Sequence, residues 1–247
     1  MTRIHHDVRG NGPGVPLLLT HGFASSSHAW APTVDALAPT RRCITWDVRG
    51  HGQSDYPADQ AQYSIPLTLA DMASIVDAEG VDKAVLIGHS MGGYLSLEFH
   101  KAHPERVAGL VLVGTGPGFR KDEARNGWNN VCETYVNIFE TKGFDGLRAS
   151  AELRADVHRG VDGLIGAARG ILRQNDAGVI DNLPNIDVPT LIVVGENDKP
   201  FLAGSDYMAA KIAGARKVVV DGAPHAPMLT HPDVFVAEVS AFLAGVD

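Results

Sequence analysis

Short apolar runs alternate with amphipathic segments along most of the chain. The apolar runs are rich in β-branched residues, which is typical of strands buried on both faces of a parallel sheet. Between them, apolar residues recur every three or four positions, as on helices that pack through one face. The pattern predicts an α/β protein with a mostly parallel sheet flanked by helices. Predicted strands are residues 2–9, 15–20, 42–46, 84–87, 107–113, 190–194 and 217–220, and predicted helices include 30–37, 68–79, 203–213 and 232–243.

The alternation stops between about residues 117 and 185, where no strand pattern occurs. Amphipathic helices are predicted there instead, at residues 122–141, 145–159 and 162–175. A helical insertion after a parallel strand emerges at the carboxyl ends of the strands, where ligands bind. We therefore expect a core formed by residues 1–116 and 186–247 and a helical lid formed by residues 117–185. Trp128, Tyr135 and Phe139 of this lid are expected either to face a pocket or to pack on the sheet.

Composition narrows the class of protein. The chain has 247 residues, 45% of them hydrophobic and 20% charged, with a formal net charge of -8. This is typical of a globular protein, and the negative charge argues against nucleic acid or an anionic membrane as a partner. No apolar run has the length of a signal-peptide core or a membrane span, and Cys43 and Cys132 are expected to be free buried thiols. A cytoplasmic location follows as the default expectation, while the oligomeric state stays open.

The run that ends in Gly88-His89-Ser90-Met91-Gly92 is the most informative segment. A buried strand precedes it and a helical pattern follows it, which is the context of a nucleophile elbow. In such a turn the serine has a strained backbone, and glycines are needed where the helix and strand converge. Ser90 is therefore the predicted nucleophile.

A serine nucleophile needs a base, and the base needs an acid that orients it. On this architecture they follow the serine in the order acid, then base. His225 lies in a loop after a predicted strand, whereas His231 starts a predicted helix, so His225 is the expected base. Asp198 directly follows another predicted strand and is the expected acid, and its neighbour Glu196 is expected to face solvent.

Two backbone N–H groups are expected to bind the oxyanion of the tetrahedral intermediate. They belong to Met91, which follows the nucleophile, and to Phe23, which follows an earlier strand. The side chain of Phe23 is then free to line the acyl pocket, although simple core packing is the alternative.

Five motifs occur in order along nearly the whole chain, and together they resemble the α/β-hydrolase superfamily. They are His21-Gly22-Phe23, the run from Asp47 to Asp55, Gly88 to Gly93, Gly195-Glu196-Asn197-Asp198 and Ala223-Pro224-His225. The resemblance is to the single-domain branch of esterases, lactonases, cofactor-free haloperoxidases and C–C bond hydrolases. It implies a structural turn at Asp47 and no cofactor. Relatives often have one more edge strand, for which this chain has no residues, so about seven strands are expected rather than about eight.

The leading function hypothesis is a serine hydrolase that cleaves carboxylic esters or lactones of small molecules through an acyl-enzyme on Ser90. A C–C bond hydrolase would use the same three residues, but those relatives usually carry Asn where this chain has His89. Perhydrolysis by a haloperoxidase-like enzyme is a further alternative. A ligand receptor that keeps the catalytic residues and signals through its lid is an alternative of another class.

Metal and nucleotide sites are not expected. The imidazoles of His5 and His6 would point to opposite faces of a strand, so they cannot share a metal ion. The glycine-rich stretch at residues 10–14 precedes a strand and not the N-terminus of a helix, as a phosphate-binding loop would require.

Overall fold

A computed structural model describes residues 2–147 and 152–246 of the chain. The strands are β1 (His6–Arg9), β2 (Leu17–Thr20), β3 (Cys43–Trp46), β4 (Ala84–His89), β5 (Val107–Val113), β6 (Thr190–Gly195) and β7 (Arg216–Val220). Within the described residues they form one seven-stranded sheet in the order β1-β3-β2-β4-β5-β6-β7. Only β1 runs antiparallel to its neighbour in this sheet. The predicted fold class and strand number are confirmed.

The first strand is shorter than predicted. The residues before His6 do not pair with β3. Their backbone hydrogen-bonds instead to the turn that follows β3. The N–H of Asp47 donates to the carbonyl of His5 at 3.0 Å, and the N–H of Asp55 donates to the carbonyl of Arg3 at 2.9 Å.

Successive residues of the central strands point to opposite faces of the sheet, and each face has its own hydrophobic core. On β2, Leu18 belongs to one core, whereas Leu17 and Leu19 belong to the other. All of β4 is buried. A strand covered on both faces has no solvent side, which explains why the central strands read as continuous apolar runs.

Helices cover both faces. They are α1 (Ala31–Leu37), α2 (Ile65–Ala78), α3 (Met91–Ala102), α4 (Asp122–Lys142), α5 (Val161–Gly170), α6 (Gly178–Asn182), α7 (Lys199–Lys211), α8 (Pro227–Thr230) and α9 (Pro232–Leu243). The core on one face contains side chains of α2, α3 and α7, such as Met72, Leu95 and Met208. The core on the other face contains side chains of α1 and α9, such as Val34 and Phe235. The sheet therefore lies between two helical layers.

The segment between β5 and β6 contains α4, α5 and α6, and we call residues 117–185 the insertion. The predicted helix at 145–159 is wrong over its described residues, which form only short 3-10 turns at Gly143–Gly146 and Ala155–Val157. Residues 148–151 of that prediction lie outside the described residues. His158 has an extended backbone and its side chain hydrogen-bonds to the core, so a tertiary contact overrides the local helical pattern.

Two further features bear on the sequence predictions. Cys43 and Cys132 are buried free thiols, as expected, and burial raises their pKa values to about 11 and about 12. Among the described residues, the helices do not include one with the length and apolar character needed to cross a bilayer.

Candidate active site

Ser90 occupies a sharp turn between β4 and α3. Its backbone has φ 52° and ψ -115°, a conformation that a non-glycine residue rarely adopts. A Cβ atom on Gly88 would lie 2.3 Å from the carbonyl oxygen of Gly92, and one on Gly92 would lie 2.2 Å from that of Thr20. The two glycines thus allow helix and strand to approach closely. The predicted elbow geometry is confirmed.

The turn is held by backbone contacts on both sides. The N–H of Ser90 donates to the carbonyl of Val113 at 2.8 Å, and the Thr115 hydroxyl donates to the carbonyl of Ser90 at 2.7 Å. Because both backbone groups of Ser90 are engaged, the backbone of the turn is held at the cavity wall.

Asp198 and His225 form a close pair at the carboxyl ends of β6 and β7. The distance between Nδ1 of His225 and Oδ2 of Asp198 is 2.8 Å, and Asp198 is buried. A hydrogen bond from Nδ1 to the carboxylate leaves Nε2 unprotonated in the neutral imidazole, as a general base requires. The ring of Phe201 stacks on that of His225 at 4.8 Å.

His89 contacts both the backbone and the ring of His225. Its Nε2 lies 3.0 Å from the carbonyl oxygen of His225, and the two ring centroids are 4.7 Å apart. Burial lowers the pKa of His89 well below its usual range, so the ring is neutral and donates through Nε2.

Ser90 and His225 line the same cavity, together with Asp198 and Phe23. Within residues 2–147 and 152–246, no hydrogen bond joins the hydroxyl of Ser90 to the ring of His225. Hydrogen bonds between a nucleophile and its base are often long without substrate and tighten when substrate binds. The fold therefore brings the three predicted side chains to the wall of one cavity, with Asp198 and His225 already hydrogen-bonded to each other.

The N–H groups of Phe23 and Met91 are available for a ligand. Met91 is the first residue of α3, where N–H groups have no partner within the helix. In the part of the chain that the structure describes, neither N–H group donates to a protein acceptor. This is the arrangement that an oxyanion site needs.

Two histidines hold Ala24, the residue after Phe23. Ala24 has φ 56°, in the left-handed region that disfavours a side chain. Its N–H donates to Nε2 of His51 at 3.1 Å, and its carbonyl oxygen lies 3.1 Å from Nε2 of His158. Nδ1 of His158 accepts from the N–H of Gly52 at 3.2 Å, so Nε2 carries the proton and donates to Ala24. His158 thus ties the insertion to the backbone beside Phe23.

These imidazoles are neutral because they are buried. Burial lowers the pKa of His51 well below its usual range, and it also lowers the pKa of His158. His21 lies against His51, with ring centroids 5.1 Å apart, and burial lowers its pKa to about 4. His21 accepts from the N–H of Val48 at 3.0 Å. All three rings act as fixed hydrogen-bonding groups between backbone segments.

Asp47 has the structural role expected for it. Its carboxylate accepts from the N–H of Ser27 at 2.7 Å and from the N–H of Gln53 at 2.8 Å. Glu196 is exposed and accepts from Gly222, and His231 directly precedes α9. These three residues lie outside the candidate site, as predicted.

In the described part of the chain, two cavities meet at Ser90. The smaller, of about 270 Å³, includes Met91, Tyr94, Trp128 and Gln174 in its wall. The larger, of about 640 Å³, includes Phe23, Tyr135, Phe139 and His225. Trp128 also lines the larger cavity, so all three aromatic residues singled out in the insertion face a pocket.

Sequence reasoning did not single out three residues of this region. His51 lies inside the motif that starts at Asp47, but nothing in the motif shows that it binds Ala24. His158 and Gln174 belong to no recognisable pattern. Their partners lie far away in the chain, and only the folded structure brings them together. The described residues contain no group of three or more His, Cys, Asp or Glu side chains placed to hold a metal ion.

The family model of the alpha/beta hydrolase fold matches residues 15–143. The chain belongs to the α/β-hydrolase family. It is 30% identical to a 2-hydroxymuconate semialdehyde hydrolase of Pseudomonas sp. (strain CF600), over 99% of this chain and 92% of that protein. It is 28% identical to a pimeloyl-acyl-carrier-protein methyl ester esterase of Pectobacterium carotovorum, over 98% of this chain and 99% of that protein.

Solved structures of this family include a thermophilic esterase from Thermogutta terrifontis that is similar to this chain. The TM-score is 0.82 at 26% identity, and the match covers 99% of this chain and 94% of the esterase. The relatives of this α/β hydrolase thus include esterases and a C–C bond hydrolase.

Proposed function

We propose that the chain is a serine hydrolase that cleaves carboxylic esters or lactones of small molecules through an acyl-enzyme on Ser90. The main support is the position of Ser90, in a strained elbow on the wall of a cavity that the Asp198–His225 pair also lines. The similarity to esterases agrees with this reaction class.

In the proposed mechanism, the hydroxyl oxygen of Ser90 attacks the ester carbonyl while Nε2 of His225 takes its proton. Asp198 holds the imidazole and stabilises its charged form. The N–H groups of Phe23 and Met91 bind the oxyanion, which is worth a few kcal/mol in the transition state.

His225 then gives the proton to the departing alcohol, and the acyl group stays on Ser90. Water, activated by the same imidazole, attacks the acyl-enzyme and releases the acid. Protein side chains, backbone N–H groups, substrate and water supply every proton and electron pair, so this mechanism requires no cofactor. We also propose that the insertion acts as a lid, because its helices wall both cavities.

Hydrolysis of a C–C bond is the second candidate. The 30% identity to a hydrolase of this kind favours it. His89 argues against it, since C–C hydrolases resembling this chain usually carry Asn at that position, and here the His89 ring is engaged with the His225 carbonyl.

The test uses purified wild-type protein and a panel of 4-nitrophenyl esters, lactones and a ring-cleavage product. Wild type is expected to turn over esters or lactones, and Ser90→Ala to lower kcat by about 10⁴-fold or more without loss of fold. Ser74→Ala is the matched control, because it makes the same change on the exposed face of α2. Turnover of only the ring-cleavage product would favour the second candidate.

Two other results would contradict the proposal. Full activity in Ser90→Ala would exclude Ser90 as nucleophile. Turnover below about one per minute on every substrate would favour the receptor alternative, because it is far below ordinary enzyme rates.

A further inference from the structure

Gln174 places an unpaired carboxamide at the smaller cavity. The residue is only 8% exposed, and its Oε1 atom is buried without a hydrogen-bond partner among the described residues. Buried polar groups in proteins are nearly always paired, by protein, water or ligand. An amide that lines a cavity beside the nucleophile is therefore positioned to bind substrate.

The position of Gln174 is fixed by its own backbone. The side chain of Asn129 in α4 accepts from the N–H of Gln174 at 3.0 Å and donates to its carbonyl oxygen at 3.0 Å. One residue earlier in α4, the indole N–H of Trp128 donates to the carbonyl of Leu172 at 2.9 Å. The helix thus anchors the segment, and the side chain of Gln174 is left for the cavity.

Gly118 leaves space for the end of this side chain. It has φ +80°, and a Cβ atom there would lie 2.8 Å from Oε1 of Gln174. The absence of a side chain at this point allows the carboxamide to lie in the cavity wall.

The rest of this wall defines the chemistry of a ligand. It is formed mainly by apolar side chains, and among the described residues it contains no Asp, Glu, Lys or Arg. A charged group would lose its hydration there without gaining a counter-ion, which is strongly unfavourable. The occupant is therefore uncharged and small, since the cavity has a volume of about 270 Å³.

The proposed mechanism determines which half of the substrate this cavity takes. The departing alcohol receives its proton from His225, so it leaves on the side where His225 lies. His225 lines the larger cavity and not the smaller one. The smaller cavity therefore receives the acyl group. On this assignment Phe23, which was expected to line the acyl pocket, belongs to the cavity that takes the alcohol.

We propose that Gln174 selects substrates whose acyl group is short, uncharged and carries a hydrogen-bond donor, either a hydroxyl or an amide N–H. The inference depends on the proposed ester hydrolysis and specifies its substrate class. Oε1 is covered in this structure, so the carboxamide turns toward the cavity to accept the donated hydrogen bond, and the apolar wall packs against the carbon chain.

The experiment compares two ester pairs in which only the donor changes. Ethyl N-acetylglycinate and ethyl levulinate differ by N–H against CH₂, and ethyl 3-hydroxybutyrate and ethyl butyrate differ by a hydroxyl. Values of kcat/KM are measured by pH-stat and divided by the rate of hydroxide-catalysed hydrolysis of each ester. This correction removes differences in intrinsic reactivity.

In wild type, at least one donor ester is expected to be favoured over its partner, by about 5–10-fold. Gln174→Met, which keeps the length of the side chain, is expected to abolish this preference while still hydrolysing the esters without a donor. Gln174→Leu provides a second variant if the first folds poorly. Gln53→Met, an exposed glutamine remote from both cavities, is the matched control and should keep the preference.

The inference would be overturned if wild type gave equal corrected kcat/KM values for the two esters within each pair. It would also be overturned if both Gln174 variants kept the wild-type preference. In either case, ester hydrolysis itself would persist and the proposed function would stand. Absence of hydrolysis of all four esters and of every 4-nitrophenyl ester and lactone of the panel by wild type would instead reject both.

Discussion

Replacement of His158 by alanine tests whether the insertion controls the oxyanion site. The change removes three hydrogen bonds, to the carbonyl of Ala24 at 3.1 Å, from the N–H of Gly52 at 3.2 Å and a longer one from the Tyr56 hydroxyl at 3.4 Å. The backbone groups of Ala24 and Gly52 are then left without a partner. Each buried group left unpaired costs about 1–3 kcal/mol. For these two groups, we therefore expect His158→Ala to lower the free energy of unfolding by about 2–6 kcal/mol.

The effect on catalysis has a separate origin. Ala24 is strained at φ 56°, which costs about 1–2 kcal/mol, and His158 holds one of its two peptide groups. Without this contact Ala24 is expected to relax and to turn the adjacent N–H of Phe23 away from the oxyanion. Loss of one oxyanion donor lowers kcat by about 10²–10³-fold. Since that contact forms in the transition state, KM should change little.

The assay measures kcat and KM for a 4-nitrophenyl ester at a temperature at which every variant is folded, as checked by urea unfolding. His158→Gln keeps an N–H donor and is expected to recover part of kcat. His28→Ala, at an exposed histidine, controls for the loss of an imidazole. A stable, folded His158→Ala protein with wild-type kcat would refute the reasoning, as would a loss confined to KM.

Three further predictions concern other parts of the site. Asp198→Asn should lower kcat by about 10³–10⁴-fold with the fold intact, because the imidazole loses the partner that sets its tautomer; steady-state kinetics near wild type would contradict this. Gly88→Ala should destabilise the protein by about 3 kcal/mol or more, because the new Cβ would lie 2.3 Å from the carbonyl oxygen of Gly92; a change below about 1 kcal/mol on urea unfolding would reject the close approach. The free energy of unfolding should also fall as the pH is lowered from about 6.5 to about 4, because the unfolded chain binds a proton on His21 in this range and the native protein, with a pKa of about 4, does not. The contribution of His21 is about 3 kcal/mol over this range, and urea unfolding that is independent of pH between 7 and 4.5 would contradict it.

The elements around the site could be predicted because local patterns encode them. The apolar runs that became β4 to β6 are buried on both faces, and their carboxyl ends carry Ser90 and Asp198 in the expected loops. Parallel strands bring such ends to one edge of a sheet, so residues distant in the chain can be assigned to one site from the sequence alone.

The remaining features depend on contacts that no local pattern records. His158 lies 134 positions from Ala24, and the helical composition of the preceding residues predicted a helix that the described residues do not form. Gln174 likewise acquires its setting from Asn129, 45 positions earlier. In both cases, a tertiary hydrogen bond fixes a backbone conformation that local propensity does not favour.

The hydrogen bond between His158 and Ala24 has a consequence for the evolution and engineering of this enzyme. The insertion lies between β5 and β6, and its described residues contribute no strand to the sheet, so it is a unit that an engineer would choose to exchange. In this chain, however, a transplanted insertion that lacked an imidazole at the same place would bring a new binding surface but leave the catalytic backbone poorly ordered. In the proposed mechanism specificity and reactivity are thus inherited together, and we expect a successful chimera to need a donor segment that includes that one ring.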